Sequence, residues 1–203
     1  MTSVPDNEEI APTPEAAASG LAAERTRRLD RIDAMRAAGV NPYPYRFDRT
    51  HTLVEIREQH GHLEAGTETE TRVTVAGRIL LKRDQGKLIF CTIRDRAADI
   101  QLFISKSVVG DTEFDEINEL DLGDWVGVTG LVMTTRKGEL SIKVENAQLL
   151  SKAVRPLPDK WHGLTDVDTR YRQRYLDLVV NEEIIIKPRW ACRCFALLCV
   201  MHS

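Results

Sequence analysis

Between positions 73 and 150 the chain contains a series of alternating apolar and polar residues, the pattern of a β-rich domain. The apolar positions of the first run share one face of a half-buried strand, and they are Val73, Val75, Ile79 and Leu81. The inward positions of the next two runs are Ile89, Cys91, Ile93, Ile100, Leu102 and Ile104. Two longer runs follow, at Asp124–Thr134 and Leu140–Leu150. The pattern predicts five strands, with Cys91 as a small core residue.

The connections between these runs indicate how the strands are arranged. Asp84-Gln85-Gly86 and Arg136-Lys137-Gly138 are turn signals, which join strand one to two and strand four to five. Residues 106–120, between strands three and four, have the pattern of an acidic amphipathic helix. Three strands, a helix and two strands is the order of an OB fold. We therefore predict an all-β OB fold, a five-stranded Greek-key barrel with a helix between strands 3 and 4. With N-terminal helices added, the chain is α+β overall.

The same alternation predicts which side chains face outward from the barrel. OB folds bind oligonucleotides across strands two and three and the adjoining loops. If the apolar set fills the barrel, then Phe90, Gln101 and Phe103 project outward, where a ring stacks on a base and an amide hydrogen-bonds its edge. Arg78, outward on the first strand, would add a fork of donors for a base edge or a phosphate. In the alternative interpretation, Phe90 caps the barrel or packs under the 106–120 helix, and Gln101 is ordinary strand surface.

The segments outside the barrel divide the chain further. Residues 1–23 are rich in Ala, Pro, Glu and Ser without apolar periodicity, so we predict a disordered tail. Residues 24–66 form a helical extension: one helix from Glu24 that stops at Gly39, and a second from Thr52 to His60 that is closed by Gly61. The predicted OB-fold domain spans residues 67–152. A linker at 153–183 and a Cys-rich tail at 184–203 complete the chain.

The distribution of charge and cysteine narrows the function classes. The net charge is −3, yet residues 72–110 carry eight Lys or Arg against three Asp or Glu, which is compatible with phosphate contacts or with plain solvated surface. Cys192, Cys194, Cys199 and His202 lack the CxxC spacing of zinc knuckles, so we predict no metal site. Since the acidic start lacks a signal pattern and no apolar run could span a bilayer, we expect a cytoplasmic protein without membrane contact.

The stretch after the barrel resembles one family in particular. Residues 154–164 include Pro156-Leu157-Pro158-Asp159-Lys160, and residues 170–178 include Arg174-Tyr175-Leu176-Asp177. Both resemble the linker signature of class II lysyl-tRNA synthetases, whereas aspartyl and asparaginyl enzymes share only the second. In the barrel the resemblance includes Val75-Ala76-Gly77-Arg78, Phe90-Cys91-Thr92 and Gly138-Glu139-Leu140-Ser141-Ile142. It covers about residues 24–183.

This resemblance implies a partner and a set of site residues. In that family the barrel grips the anticodon of lysine tRNA and reads its uridines, so a lysine-specific tRNA is the expected partner. The family's stacking phenylalanine matches Phe90 and its recognition glutamine matches Gln101. The first-strand arginine matches Arg78, and the acidic residue of the last hairpin matches Glu139. Phe90 and Gln101 are also the residues that the alternation places outward. The basic helix Arg25–Arg36 resembles the family's amino-terminal helix, which sits near the tRNA.

The resemblance ends after Asn181-Glu182-Glu183, which changes the expected activity. A homodimeric family member would continue into the dimer-forming motif 1 and then into motifs 2 and 3, whose arginines bind ATP. Here Pro188 interrupts the expected helix. We therefore expect no catalytic residue, no cofactor in this chain although the family uses ATP and magnesium, and no charging of tRNA. Two interpretations stay open: a tRNA-binding module that acts in trans or competes with the intact enzyme, or a non-functional truncated or frameshifted product that aggregates.

Overall fold

The first helix begins earlier than the periodicity predicts. The structure, a computed structural model, describes residues 14–96, 98–156 and 167–180. In it, α1 (Pro14–Ala37) starts at Pro14 and not at Glu24, which corrects the predicted end of the disordered tail at residue 23. Residues 14–23 are helical because alanine, with the highest helix propensity, dominates them, and because proline fits a first helical position. Residues 1–13 lie outside the described part of the chain.

The predicted stop at Gly39 is confirmed. Gly39 has a φ of 76°, and its amide donates to the Arg36 carbonyl at 3.0 Å. The Val40 amide donates to the Met35 carbonyl at 2.9 Å. These two bonds form a Schellman motif, which satisfies carbonyls that the end of a helix leaves unpaired.

The second predicted helix is also confirmed, as α2 (Leu53–His60), with Gly61 at its C-terminal cap. Thr52 precedes it, and its side chain accepts a hydrogen bond from the Glu55 amide at 3.3 Å. The Glu55 carboxylate accepts in return from the Thr52 amide at 2.7 Å. This reciprocal capping box fixes the start of α2.

Five strands close into a barrel, which confirms the predicted OB fold. They are β1 (Glu68–Asp84), β2 (Leu88–Arg94), β3 (Asp99–Ser105), β4 (Trp125–Thr134) and β5 (Leu140–Ser151). Their order around the barrel is β1-β2-β3-β5-β4. The β3–β5 pair is parallel and the other recorded pairs are antiparallel.

The helix predicted over residues 106–120 is divided in two. Gly110, with a φ of 87°, separates α3 (Lys106–Val109) from α4 (Asp111–Asn118). Phe114 and Ile117 of α4 are buried in the same cluster as the inward residues of the strands, and so are Leu53 and Ile56 of α2. Cys91 is 2% exposed in this cluster, as predicted. Burial of these apolar side chains is the main favourable contribution to folding.

A bulge in β1 reverses the alternation that the sequence suggests. The pairing between β1 and β2 shifts between Ile79 and Leu81, so that Ile79 lies opposite Ile93 while Leu81 lies opposite Thr92. One extra residue in a strand exchanges the faces of all the residues that follow it. Leu81 therefore points outward, which corrects its predicted position on the same face as Val73, Val75 and Ile79.

A buried network of charges joins α1 to the barrel. Arg28, 4% exposed, donates to the backbone carbonyls of Leu122 at 3.2 Å and Ala153 at 3.0 Å. Next to it, the Lys152 ammonium lies 2.7 Å from the Asp124 carboxylate and 2.5 Å from that of Asp121. A buried charge is stable only when it is paired and hydrogen-bonded, and here each one is.

The described part of the predicted linker contains two short helices, α5 (Val167–Arg172) and α6 (Arg174–Val180). The buried Asp177 carboxylate accepts from Arg170 at 3.0 Å and from Arg174 at 2.6 Å. Residues 157–166 and the tail at 184–203 lie outside the described residues. None of the helices among the residues described has both the length and the apolar character needed to cross a membrane.

Candidate nucleic-acid interface

A cleft of about 300 Å³ lies on the outer face of the barrel, across the first three strands. Its lining residues are Arg57, Leu81, Arg83, Phe90, Thr92, Asp99, Ile100, Gln101 and Glu139. Three of the four residues predicted to bind nucleic acid are in this set: Phe90, Gln101 and Glu139. The cleft thus brings together a ring, an amide and a carboxylate that are far apart in the sequence.

Strand register explains why these side chains meet. Thr92 of β2 lies between Leu81 of β1 and Gln101 of β3, and all three point outward. One pleat further on, Phe90 lies opposite Arg83 on one side and opposite Phe103 on the other. Residues directly opposite each other on one sheet face have side chains in contact distance. Two rows of side chains therefore cross the strands side by side.

Phe90 is held in this cleft by a second aromatic ring. Its centroid lies 5.5 Å from that of Phe103, with an angle of 66° between the ring planes. This edge-to-face geometry is a favoured aromatic arrangement. Both rings are half-buried on the outside of the barrel, not capping its interior or packed in the core cluster with α4. Phe90 is therefore positioned to stack on a flat ligand.

Gln101 and Glu139 provide hydrogen-bonding groups on the β3 and β5 side of Phe90, which is the side opposite to β1. Gln101 lies opposite Ser141 of β5, which places the Glu139 turn beside it. The Glu139 backbone is fixed by Thr135, whose amide donates to the Glu139 carbonyl at 2.9 Å and whose hydroxyl accepts from the Glu139 amide at 3.1 Å. Among the residues described, neither the Gln101 amide group nor the Glu139 carboxylate forms a hydrogen bond. Both groups are available to a ligand.

Arg78, the fourth predicted site residue, is not brought into the cleft. It precedes the β1 bulge, donates to the Gly123 carbonyl at 3.1 Å, and stacks at 5.5 Å over the Trp125 ring. Burial lowers the pKa of Arg78, and the nearby Asp124 carboxylate opposes that shift. The structure gives Arg78 contacts that join β1 to Gly123 and to the first residue of β4, while its contact with nucleic acid stays a prediction.

The cleft is also lined by two arginines that local sequence patterns did not predict as site residues. Arg83 reaches it because the β1 bulge turns this residue outward. Arg57 reaches it because α2 packs against the barrel, where the Arg57 Nε donates to the Asp99 carbonyl at 2.5 Å. The neighbouring Asp99 carboxylate is paired with Arg94. No local sequence pattern predicts that either arginine lines the cleft, because a bulge and a helix-to-sheet contact are both tertiary features.

In the ranges 14–96, 98–156 and 167–180, no group of three or more His, Cys, Asp or Glu side chains is arranged to hold a metal ion. Cys192, Cys194, Cys199 and His202 lie outside these ranges. The side chains that line the described cleft provide an aromatic ring, hydrogen-bonding groups and charges.

Comparison with known proteins finds relatives of the barrel and of the segments around it. Residues 73–150 match the tRNA anticodon family of domains, described as the OB-fold nucleic acid binding domain. The chain is 48% identical over 158 residues to a lysine–tRNA ligase of Enterococcus faecalis, covering 77% of this chain and 32% of that protein. It is 45% identical over 165 residues to the lysine–tRNA ligase of Thermosynechococcus vestitus, covering 79% of this chain and 33% of that one.

A third relative, a lysine–tRNA ligase of Prochlorococcus marinus, is 44% identical over 178 residues, which is 83% of this chain and 35% of the relative. The chain thus spans about one third of the length of the curated relatives it matches. Residues 73–150 include every residue that lines the cleft except Arg57 of α2. The chain therefore contains a domain of the tRNA anticodon family of OB folds, and it is homologous to the corresponding third of the lysine–tRNA ligases.

Proposed function

We propose that this chain binds a lysine-specific tRNA by taking an unpaired base of the anticodon into the cleft. The observation that carries the proposal is the convergence of Phe90, Gln101 and Glu139 on one cleft of the OB-fold face. The family of residues 73–150 supports a nucleic-acid ligand, and the names of the relatives support lysine tRNA. Because tRNA is the proposed partner, the cytoplasm is the proposed compartment.

The cleft has the chemistry that a single base requires. A base stacked on Phe90 gains about 1–3 kcal/mol. The Gln101 amide offers both a donor and an acceptor, and the Glu139 carboxylate offers acceptors. Uracil presents an imino donor between two carbonyl acceptors, so its edge can be matched by this pair. Proteins read RNA sequence mainly by such contacts to splayed, unpaired bases.

The test compares binding of lysine tRNA with binding of a tRNA that has an altered anticodon. We expect tighter binding of lysine tRNA, and we expect Phe90→Ala to weaken it about 5- to 150-fold, the equivalent of one lost stacking contact. Tyr45→Ala is the matched control, since it removes a fully exposed aromatic ring outside the cleft. Equal binding of both tRNAs, or no binding, would refute the proposal and leave the interpretation of a non-functional product.

We also propose that this binding uses neither ATP nor magnesium as a cofactor of the protein. Stacking and base-edge hydrogen bonds need no phosphate-binding or metal-binding group. Adding ATP and lysine should leave the Kd for tRNA unchanged, and these 203 residues should support no lysine-dependent exchange of pyrophosphate into ATP. Measurable exchange would contradict this part of the proposal.

A further inference from the structure

The outer face of β1 carries an arginine whose position depends on the bulge. Before the bulge, Arg78 faces away from the cleft and is hydrogen-bonded to Gly123. After it, Arg83 lies directly opposite Phe90 and lines the cleft. Arg83 is exposed, and its guanidinium forms no hydrogen bond or ion pair within the part of the chain that is described. A free guanidinium beside a stacking ring is suited to an anionic part of the same ligand.

The neighbouring cations of the sheet are already engaged. The Lys82 ammonium donates to the backbone carbonyls of Asn118 and Leu120 at the end of α4. Lys143, beyond Phe103 on the outer face, is paired with Glu68 at 2.8 Å. Arg57, the other arginine of the cleft, donates its Nε to the Asp99 carbonyl. Arg83 is therefore the cleft arginine whose whole guanidinium remains available.

Strand order decides which part of a nucleotide Arg83 would meet. Around the barrel, β1 lies on one side of β2, while β3 and β5 lie on the other. A base on Phe90 of β2 that is read by Gln101 and Glu139 has its hydrogen-bonding edge toward β3 and β5. The glycosidic bond is on the opposite side of a pyrimidine from that edge. The sugar and its phosphates therefore point toward β1, where Arg83 lies.

We infer that Arg83 binds a backbone phosphate of the nucleotide whose base stacks on Phe90. This inference rests on the proposed function and assigns different roles to the residues of the cleft. Gln101 and Glu139 act on the base edge and set selectivity, whereas Arg83 acts on the phosphate and contributes affinity without selectivity. Phosphate contacts position a nucleic acid, and contacts to base edges specify it.

The role of Arg83 in phosphate binding can be tested by measuring tRNA affinity as a function of salt concentration for Arg83→Gln and Arg83→Lys. Each neutralised phosphate of a single strand contributes about 0.7 to the slope of log K against log salt. We expect Arg83→Gln to reduce that slope by about 0.7 and to weaken binding at low salt by about 3- to 10-fold. The loss should be equal for lysine tRNA and for the altered tRNA. Arg83→Lys, which keeps the charge, should keep the slope.

Arg72→Gln is the matched control, because it removes an exposed arginine from the same strand, where Arg72 is paired with Glu145 and lies outside the cleft. If Arg83→Gln has no larger effect on affinity and slope than Arg72→Gln, the inference is wrong and the proposed function stands. A changed selectivity ratio in Arg83→Gln would also overturn it, since that result assigns Arg83 to the base. If the unaltered chain shows no anticodon selectivity at all, the proposed function itself fails.

Discussion

Replacing Lys152 by methionine should destabilise the folded chain strongly, because it leaves two carboxylates without their shared counter-ion. The Lys152 side chain is 1% exposed, and its ammonium lies 2.7 Å from the Asp124 carboxylate, which is 0% exposed. The same ammonium lies 2.5 Å from Asp121, which is 13% exposed. Methionine conserves most of the apolar stem, so the substitution removes mainly the charge and its hydrogen bonds.

The magnitude follows from what each carboxylate keeps. The Asp124 carboxylate retains hydrogen bonds from the backbone amides of Asp121 at 2.9 Å and Ala153 at 2.8 Å. The Asp121 carboxylate retains its ion pair with Arg27. Breaking a buried pair by removing one partner costs about 3–5 kcal/mol. Since these retained bonds solvate the carboxylates in part, we expect a loss near the lower end, about 3 kcal/mol of unfolding free energy.

Urea unfolding followed by circular dichroism measures this loss, and Arg46→Met provides the contrast. Arg46 pairs with Asp48 at 2.9 Å, but both side chains are more than three quarters exposed, so we expect a change below about 0.5 kcal/mol. The double variant Asp124→Asn with Lys152→Met should recover part of the stability, because it also removes the buried negative charge. A loss below about 1 kcal/mol in Lys152→Met, or no coupling in the double variant, would refute this reasoning.

Two other predictions concern pH and close packing. Hydrogen bonds from Arg27 and Arg28 lower the pKa of Glu24 to about 2 from 4.5, so its contribution to stability is present above pH 4.5 and is lost as the pH falls toward 2. Urea titrations at pH 6 and pH 3 should show that Glu24→Gln reduces this acid dependence, and an unchanged dependence would contradict the assignment. Gly130→Ala should cost about 3 kcal/mol in urea unfolding, because its Cβ would overlap the Lys143 carbonyl oxygen of the neighbouring strand. Gly20→Ala, where a Cβ meets open space, is the control, and equal stability of the two variants would show that the sheet yields at Gly130.

Much of the candidate site could be predicted from local patterns. The inward positions Ile89, Cys91 and Ile93 require that Phe90 and Thr92 point outward, since side chains alternate along a strand. The same argument placed Gln101, and the structure has it lining the cleft. Glu139 was predicted as a site residue only from the family resemblance, because a residue in a turn has no strand alternation that would indicate its direction.

Arg78 and Arg83 show where local patterns stop being sufficient. If the alternation continued unbroken through β1, Arg78 and Lys82 would point outward. Arg83 would then point inward and would take no part in the site. The bulge after Ile79 exchanges the faces of the residues that follow it, so that Arg83 lines the cleft and the Lys82 ammonium reaches the end of α4. A bulge is a property of how two strands pair, and the β1 sequence itself does not contain a signal for it.

Local sequence patterns were sufficient to predict the strands, the C-terminal end of α1, both ends of α2, and the outward direction of Phe90 and Gln101. These features depend on interactions between residues a few positions apart, which a linear pattern contains. Tertiary contacts set the register shift in β1, the approach of Arg57 to the cleft, and the attachment of α1 through the buried Arg28. Each of these depends on contacts between residues distant along the chain, whose geometry exists only once the barrel has closed.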